Sequence, residues 1–221
     1  MNPAPLPLGN AAAARAGSYP KGVARRQEIL TRAIEVFAAK GAEGTSLRAI
    51  AEAIGVSHAA LLHYFPSREV LLIEVLKANE TRSRDEDADR DPTEIVGMMI
   101  NAAHRNVGIP GIVSLYSSML AGSIEEGKDY SREYFSGRFE RLRAKLVARI
   151  RAGQSDGTVR ADLEPEALAA LVIAASDGLQ LQWLLDPKVD IAKSLELLDV
   201  ILAPTEGLAG TPTTTPTKEE S

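Results

Sequence analysis

Between residues 23 and 40, Ile29, Leu30, Ala33, Ile34 and Phe37 recur at steps of three and four. That spacing lines one face of a helix. The same rhythm predicts helices over 47–54, 57–65, 68 onward, 92–107, 110–123, 129–152, 164–185 and 191–202. The last carries Ile191, Leu195, Leu198 and Leu202 on one stripe. No stretch alternates apolar and polar as a half-buried strand does. The fold class expected is therefore all-α.

Punctuation residues set the boundaries. Gly41 offers a left-handed stop, Thr45 and Ser46 offer capping oxygens, and Gly55 ends the short helix that follows. Ser57 caps the next helix, Pro66 stops it, and Ser67 caps another. Asp91-Pro92-Thr93-Glu94 joins an N-cap, a first-turn proline and a capping-box carboxylate. A break is expected across Gly153–Gly157. Residues 1–20, rich in Pro, Ala and Gly, read as a flexible arm, and the Thr/Pro-rich 204–221 as a disordered tail.

Composition narrows the chemistry. The 221 residues are 45% hydrophobic and 25% charged, a globular balance. There is no cysteine and only three histidines, His58, His63 and His104, so neither thiol catalysis nor a metal site is expected. No cofactor motif is present: there is no Gly-rich phosphate loop and no nucleophile elbow. No apolar run approaches the ~20 residues of a membrane span and no signal pattern opens the chain, so a cytoplasmic protein is expected. The net charge is −5, but residues 1–80 hold nine basic side chains against seven acidic ones. That permits a positive face on the first part of the chain. The basic run Arg138, Arg141, Arg143 and Lys145 reads as a solvated helix face.

The informative segment is 45–65, TSLRAIAEAIGVSHAALLHYF. Two short helices joined by a tight turn containing Gly are the sequence form of a helix-turn-helix. Ala51 is small where the helices cross, and Val56 and Leu61 fill the space between them. In such a motif the second helix enters the major groove. Base readout then falls to the exposed side of His58–His63. Only His58 and His63 there can hydrogen-bond a base edge, while Ala59, Ala60 and Leu62 suit thymine methyl groups.

The stretch from Arg26 to Leu72 resembles the DNA-binding domain of the TetR family of bacterial repressors. The match includes Ile50, Ala51, Gly55, Val56, Ser57, Tyr64, Phe65 and Arg68. Ala59, Ala60 and Leu62 depart from the residues frequent in the family. The resemblance implies a helix-turn-helix DNA-binding domain over 21–66 and a helical effector-binding and dimerisation domain over 67–203. It implies that Tyr64 and Arg68 contact phosphate. It also implies that Thr45 and Ser57 set helix N-termini against the DNA backbone, and that Lys21, Arg25, Arg26 and Arg48 add basic contacts.

The expected function is sequence-specific repression from duplex DNA. The operator is palindromic, the protein is a homodimer paired through its last two helices, and a small lipophilic effector releases it. Met99, Asn101, His104, Tyr116, Met119, Phe135 and Gln180 are the candidate effector residues, and a neutral or weakly cationic ligand is expected. The alternative is an all-helical enzyme or a protein-interaction module without DNA binding, although no titratable pair sits in a catalytic motif.

Overall fold

The computed structural model describes residues 11–40, 46–86 and 95–204, with side chains from 21 onward in the first span and to 82 in the second. Among these residues all regular structure is helical. In chain order the helices are α1 (Ala11–Lys40), α2 (Leu47–Ile54), α3 (His58–Tyr64), α4 (Arg68–Glu86) and α5 (Ile95–Val107). They continue as α6 (Ile112–Gly122), α7 (Asp129–Asp156), α8 (Pro165–Leu185) and α9 (Ile191–Leu202).

The predicted helices are present, with boundary shifts in α1 and α7. The first helix begins at Ala11, inside the segment expected as an arm, while residues 1–10 lie outside the described residues. Of the tail expected over 204–221, only Pro204 is described. The break expected at Gly153 is absent: α7 runs on to Asp156 and ends at Gly157, whose φ of 80° suits glycine. Gly153 is buried, and a Cβ there would lie 2.6 Å from Val159. This glycine makes room for the returning chain instead of stopping the helix. The segments 41–45 and 87–94, with Gly41, Thr45 and the Asp91–Glu94 start signal, lie outside the described residues.

Two apolar cores organise the molecule. The first joins α1, α2 and α3 through Ile29, Leu30, Phe37, Ile50, Leu61 and Phe65. It continues without a break into α4, α6 and the start of α7 through Leu72, Ile112, Leu115 and Phe135. The second packs α5, the end of α7, α8 and α9 around Val96, Leu146, Ile150, Val172 and Leu195. Helix α4 is the hub of the first core: Leu71, Leu72, Ile73, Val75 and Leu76 are all buried, so more than half its circumference faces protein.

Helix α8 has a second apolar face. It is long and apolar enough to cross a membrane by length and composition alone, which differs from the reading of the bare sequence. Leu168, Val172 and Ile173 turn inward, while Leu171, Leu181 and Leu185 face out beside Leu197, Val200 and Ile201 of α9.

Helices α1 and α6 approach each other very closely at one point. Gly111, the N-cap of α6 at φ 81°, sits so near Ala38 of α1 that a Cβ would lie 2.7 Å from its Cα. Gly55, with φ 76°, has open space around its missing Cβ. Gly55→Ala should therefore cost only the left-handed backbone strain, about 1–2 kcal/mol. Gly111→Ala should cost about 1–3 kcal/mol more, because it also drives a methyl into α1. Urea denaturation of the two variants checks this order.

Candidate nucleic-acid interface and effector cavity

The turn between α2 and α3 is built locally. Ser46 caps α2 by accepting from the Ala49 N–H at 3.1 Å, and Ser57 caps α3 by accepting from Ala60 at 3.0 Å. Between them Gly55 takes the left-handed conformation and donates its N–H back to the end of α2. The Arg32 guanidinium of α1 donates to the Ile54 carbonyl at 3.1 Å, which satisfies another α2 C-terminal acceptor. Helix α3 is then held by Leu61, its one buried side chain.

The remaining residues of α3 face outward. Ser57, His58, Ala59, Ala60, Leu62 and His63 are exposed, and Tyr64 is partly so, its ring edge-on to His63 with centroids 5.5 Å apart. Lys21 and Arg48 are also exposed. Arg68 is half-buried at the first residue of α4. Burial lowers its pKa, and a guanidinium remains charged at neutral pH.

Two of the basic residues assigned to DNA also pair with carboxylates of the chain itself, Arg25 at the surface and Arg26 across two helices. Arg25 pairs with Glu28 at 2.5 Å. Arg26 pairs with Glu74 of α4, and its guanidinium lies 5.0 Å from the Phe65 ring centroid. Arg26 thus ties α1 to α4. Glu74 also accepts from Lys77 at 2.9 Å and from the Tyr130 hydroxyl of α7 at 3.0 Å. A second carboxylate, Glu69, accepts from both the N–H (3.0 Å) and the hydroxyl (2.6 Å) of Ser131 in the first turn of α7. There the helix dipole favours it.

Behind α4 lies a cavity of about 470 Å³, walled by α4 to α8. Its apolar side is Leu76, Met98, Met99, Ala102, Ile112 and Leu142. Two polar lines cross it, both from α4 to α8. In one, Arg138 of α7 pairs with Glu80 at 2.6 Å and donates to the Tyr116 hydroxyl at 3.0 Å, which donates to Asp177 at 3.1 Å. In the other, Asn79 reaches Asn106 at a long 3.5 Å, and Asn106 donates to Gln180 at 3.0 Å.

The electrostatics follow from burial. Burial raises the Asp177 carboxyl above its ordinary value, and Arg138 and the Tyr116 hydroxyl only partly offset this. Burial also pushes the Tyr116 phenol well above its usual range. The Tyr134 phenol is raised by burial and then by the charge of Glu80. Its hydroxyl is buried on the cavity wall beside Glu80 without an aligned hydrogen bond. For Arg138, burial alone would lower the pKa, but Tyr116, Glu80 and Asp177 raise it on balance.

Of the effector residues read from sequence, Met99, Tyr116 and Gln180 line this cavity. Asn101 and Met119 are partly buried elsewhere, His104 is exposed, and Phe135 is a core residue packed edge-on against Tyr116. Glu80, Arg138 and Asp177 were missed. The signal was available: Arg138 interrupts the apolar stripe Phe135, Phe139, Leu142, and Asp177 falls between Ile173 and Gln180 on one face of α8. The basic run on α7 is likewise not simply a solvated face, since Arg138, Arg141 and Lys145 line the cavity and Arg143 does not.

Two stretches of the chain match known families. Residues 29–75 match the description "Bacterial regulatory proteins, tetR family", and residues 128–204 match "BetI-type transcriptional repressor, C-terminal". The chain is 48% identical over 54 residues to the HTH-type transcriptional regulator RutR of Escherichia coli, which is 24% of this chain and 26% of that one. The match thus spans about a quarter of that relative's length. A transcriptional regulator from Saccharomonospora viridis, solved in complex with choline, shares the fold with a TM-score of 0.65 at 23% identity, over 81% of this chain and 95% of that one. FadR from Bacillus subtilis, solved with stearoyl-CoA, gives 0.65 at 17% identity, over 80% and 97%.

The Glu74 cluster makes a prediction about acid stability. Burial alone would raise the Glu74 carboxyl, but hydrogen bonds from Lys77, Arg26 and Tyr130 hold it below its ordinary value of 4.5. A carboxyl depressed in the folded state stabilises above its unfolded pKa and loses that contribution as pH falls through the folded one. Urea denaturation between pH 7 and pH 3 should show unfolding free energy falling more steeply below about 4.5 in the wild type than in Glu74→Gln.

Proposed function

Because the chain belongs to the TetR family of bacterial regulatory proteins, we propose that it is a transcriptional repressor. On this reading it binds a palindromic operator as a homodimer and leaves it when a small molecule fills the cavity behind α4. The observation that carries the reading is α3 itself. A seven-residue helix with one buried side chain, pinned at a capped glycine turn, offers a rigid, protruding edge of groove-entering dimensions. The functional parts are then a DNA-binding head over 21–66 and an effector and dimerisation body over 67–203.

His58 and His63 supply base-edge hydrogen bonds, and Ala59, Ala60 and Leu62 meet thymine methyl groups. Ser57, Tyr64 and Arg68 hold the phosphate backbone, with Lys21 and Arg48 adding charge. Arg26 acts from inside, by fixing the head to α4.

Selection from a random duplex pool followed by gel shift tests the reading. Arg68→Ala should weaken binding to all sequences alike and lower the salt slope by about one. His63→Ala should change the preferred base at one position by about 1–3 kcal/mol. Recovery of no enriched duplex from the pool would sink the regulator reading.

The outward apolar face of α8 and α9 supports pairing with a second copy. Leu181, Leu197 and Val200 are 50%, 64% and 74% exposed, and α8 also exposes the small Ala170 and Ala174, which permit close helix approach. Val200→Asp places a charge on that face without entering the core. It should yield monomers in sedimentation at micromolar concentration and weaken operator binding by at least about tenfold.

The cavity supports an effector site because an apolar wall faces a set of fixed polar and charged groups, in the size range of small-molecule pockets. Both polar lines across it begin on adjacent residues of α4, so an occupant that displaces them acts on the helix that also carries Arg68.

A further inference from the structure

The chain is acidic overall, yet its cavity is not. Arg105, Arg138, Arg141 and Lys145 line it against Glu80 and Asp177, four basic side chains to two acidic ones. Three of the four lie on α7 at intervals of three and four residues, a basic stripe along one helix face. The apolar wall made by Met98, Met99, Ile112 and Leu142 borders this stripe. A single ligand that satisfies both surfaces is amphipathic, with its charge at one end and negative.

The geometry also disfavours a cation. A quaternary ammonium needs an open aromatic face. The Tyr116 face is taken by Arg138, whose guanidinium lies 4.8 Å from the ring centroid. Glu80 is already paired with Arg138, and Asp177, the other acid, accepts from Tyr116 beside the same guanidinium. A ligand cation would therefore meet a like charge at the Tyr116 face, and the second ring on the cavity, Tyr134, already has the Lys77 ammonium 5.9 Å from its centroid.

Resting on the effector reading above, we propose that the cavity binds a single-chain amphipathic carboxylate. Its chain lies against Met98, Met99 and Ile112, and its carboxylate lies on the Arg138–Arg141–Lys145 stripe. A guanidinium presents a planar fork that matches a carboxylate. The ligand carboxylate takes over Arg138 from Glu80, which breaks the line from α4 to α8. Ligand charge and α4 position are then linked through one guanidinium. This replaces the neutral or weakly cationic ligand expected from the net charge of the body.

Three probes with ten-carbon chains separate the classes by head group: decanoate, decanol and decyltrimethylammonium, titrated calorimetrically into the full-length protein at one ionic strength. Decanoate should bind at least about tenfold more tightly than either of the others, the size of one charge-assisted hydrogen bond. Arg138→Met should abolish the preference. Arg141→Gln, at an exposed position, should reduce it several-fold while leaving the fold intact, so the test survives if the first variant misfolds. Equal or tighter binding of the ammonium or the alcohol overturns the assignment. So does failure of all three probes to bind, or a preference unchanged in Arg141→Gln. Gel shift on the same samples, with DNA selected by the wild type, keeps the two readings apart. Operator binding without carboxylate preference removes this inference alone, and carboxylate preference without operator binding removes the regulator reading alone.

Discussion

Three carboxylates on one helix hold this molecule together across its parts. Glu69 receives the first turn of α7, Glu74 binds Arg26 of α1 and Tyr130 of α7, and Glu80 holds Arg138. They project from α4, whose apolar residues are buried by α1 and α6 as well as α7. A helix so enclosed cannot slide in its socket without also separating ion pairs, and partly buried pairs are costly to break one-sidedly. The position of α4 is therefore a property of head and body together.

The continuity of the first core has the same effect. Phe65 closes the head against α4, and Ile112 and Leu115 close α6 against the same helix. Among the described residues, one continuous apolar core joins 21–66 to α4, α6 and α7. The core residues of 21–66 and those of α6 share neighbours, as expected when a short three-helix head has too little surface to bury on its own.

Local signals in the sequence carried further than distant ones. Ser57, Gly55 and Pro66 act on their own chain neighbours, so the α2–α3 turn could be read from one-dimensional spacing. The resemblance over 26–72 sharpened the same region. Gly153 shows the limit: a glycine that reads as a helix stop is kept because Val159 returns over it, and no local pattern encodes that return. Arg26 shows another limit. Its charge suggested an outward contact, but Glu74 lies 48 residues away in sequence and adjacent in space. The cavity was the least legible part. Asn101 and His104 share a helix with Met99 but not its face, while Arg138 was set aside as surface charge and Asp177 was not singled out. A polar residue on an inward stripe was the overlooked mark of a site, since burying a charge is costly unless a partner waits for it.

The contact of Gly111 with Ala38 has a mechanical meaning. With no side chain between them, α1 and α6 meet backbone to side chain at the far end of α1 from Arg26. Such a contact leaves no slack between α1 and α6, and both helices pack against α4. From Glu80 to Arg68 is twelve residues, about 18 Å of helix. A tilt of about 5° at the cavity end swings the Arg68 end by about 1.5 Å, half the length of a hydrogen bond. The long arm of α4 thus converts a small disturbance beside the cavity into a misfit large enough to matter at a rigid double helix.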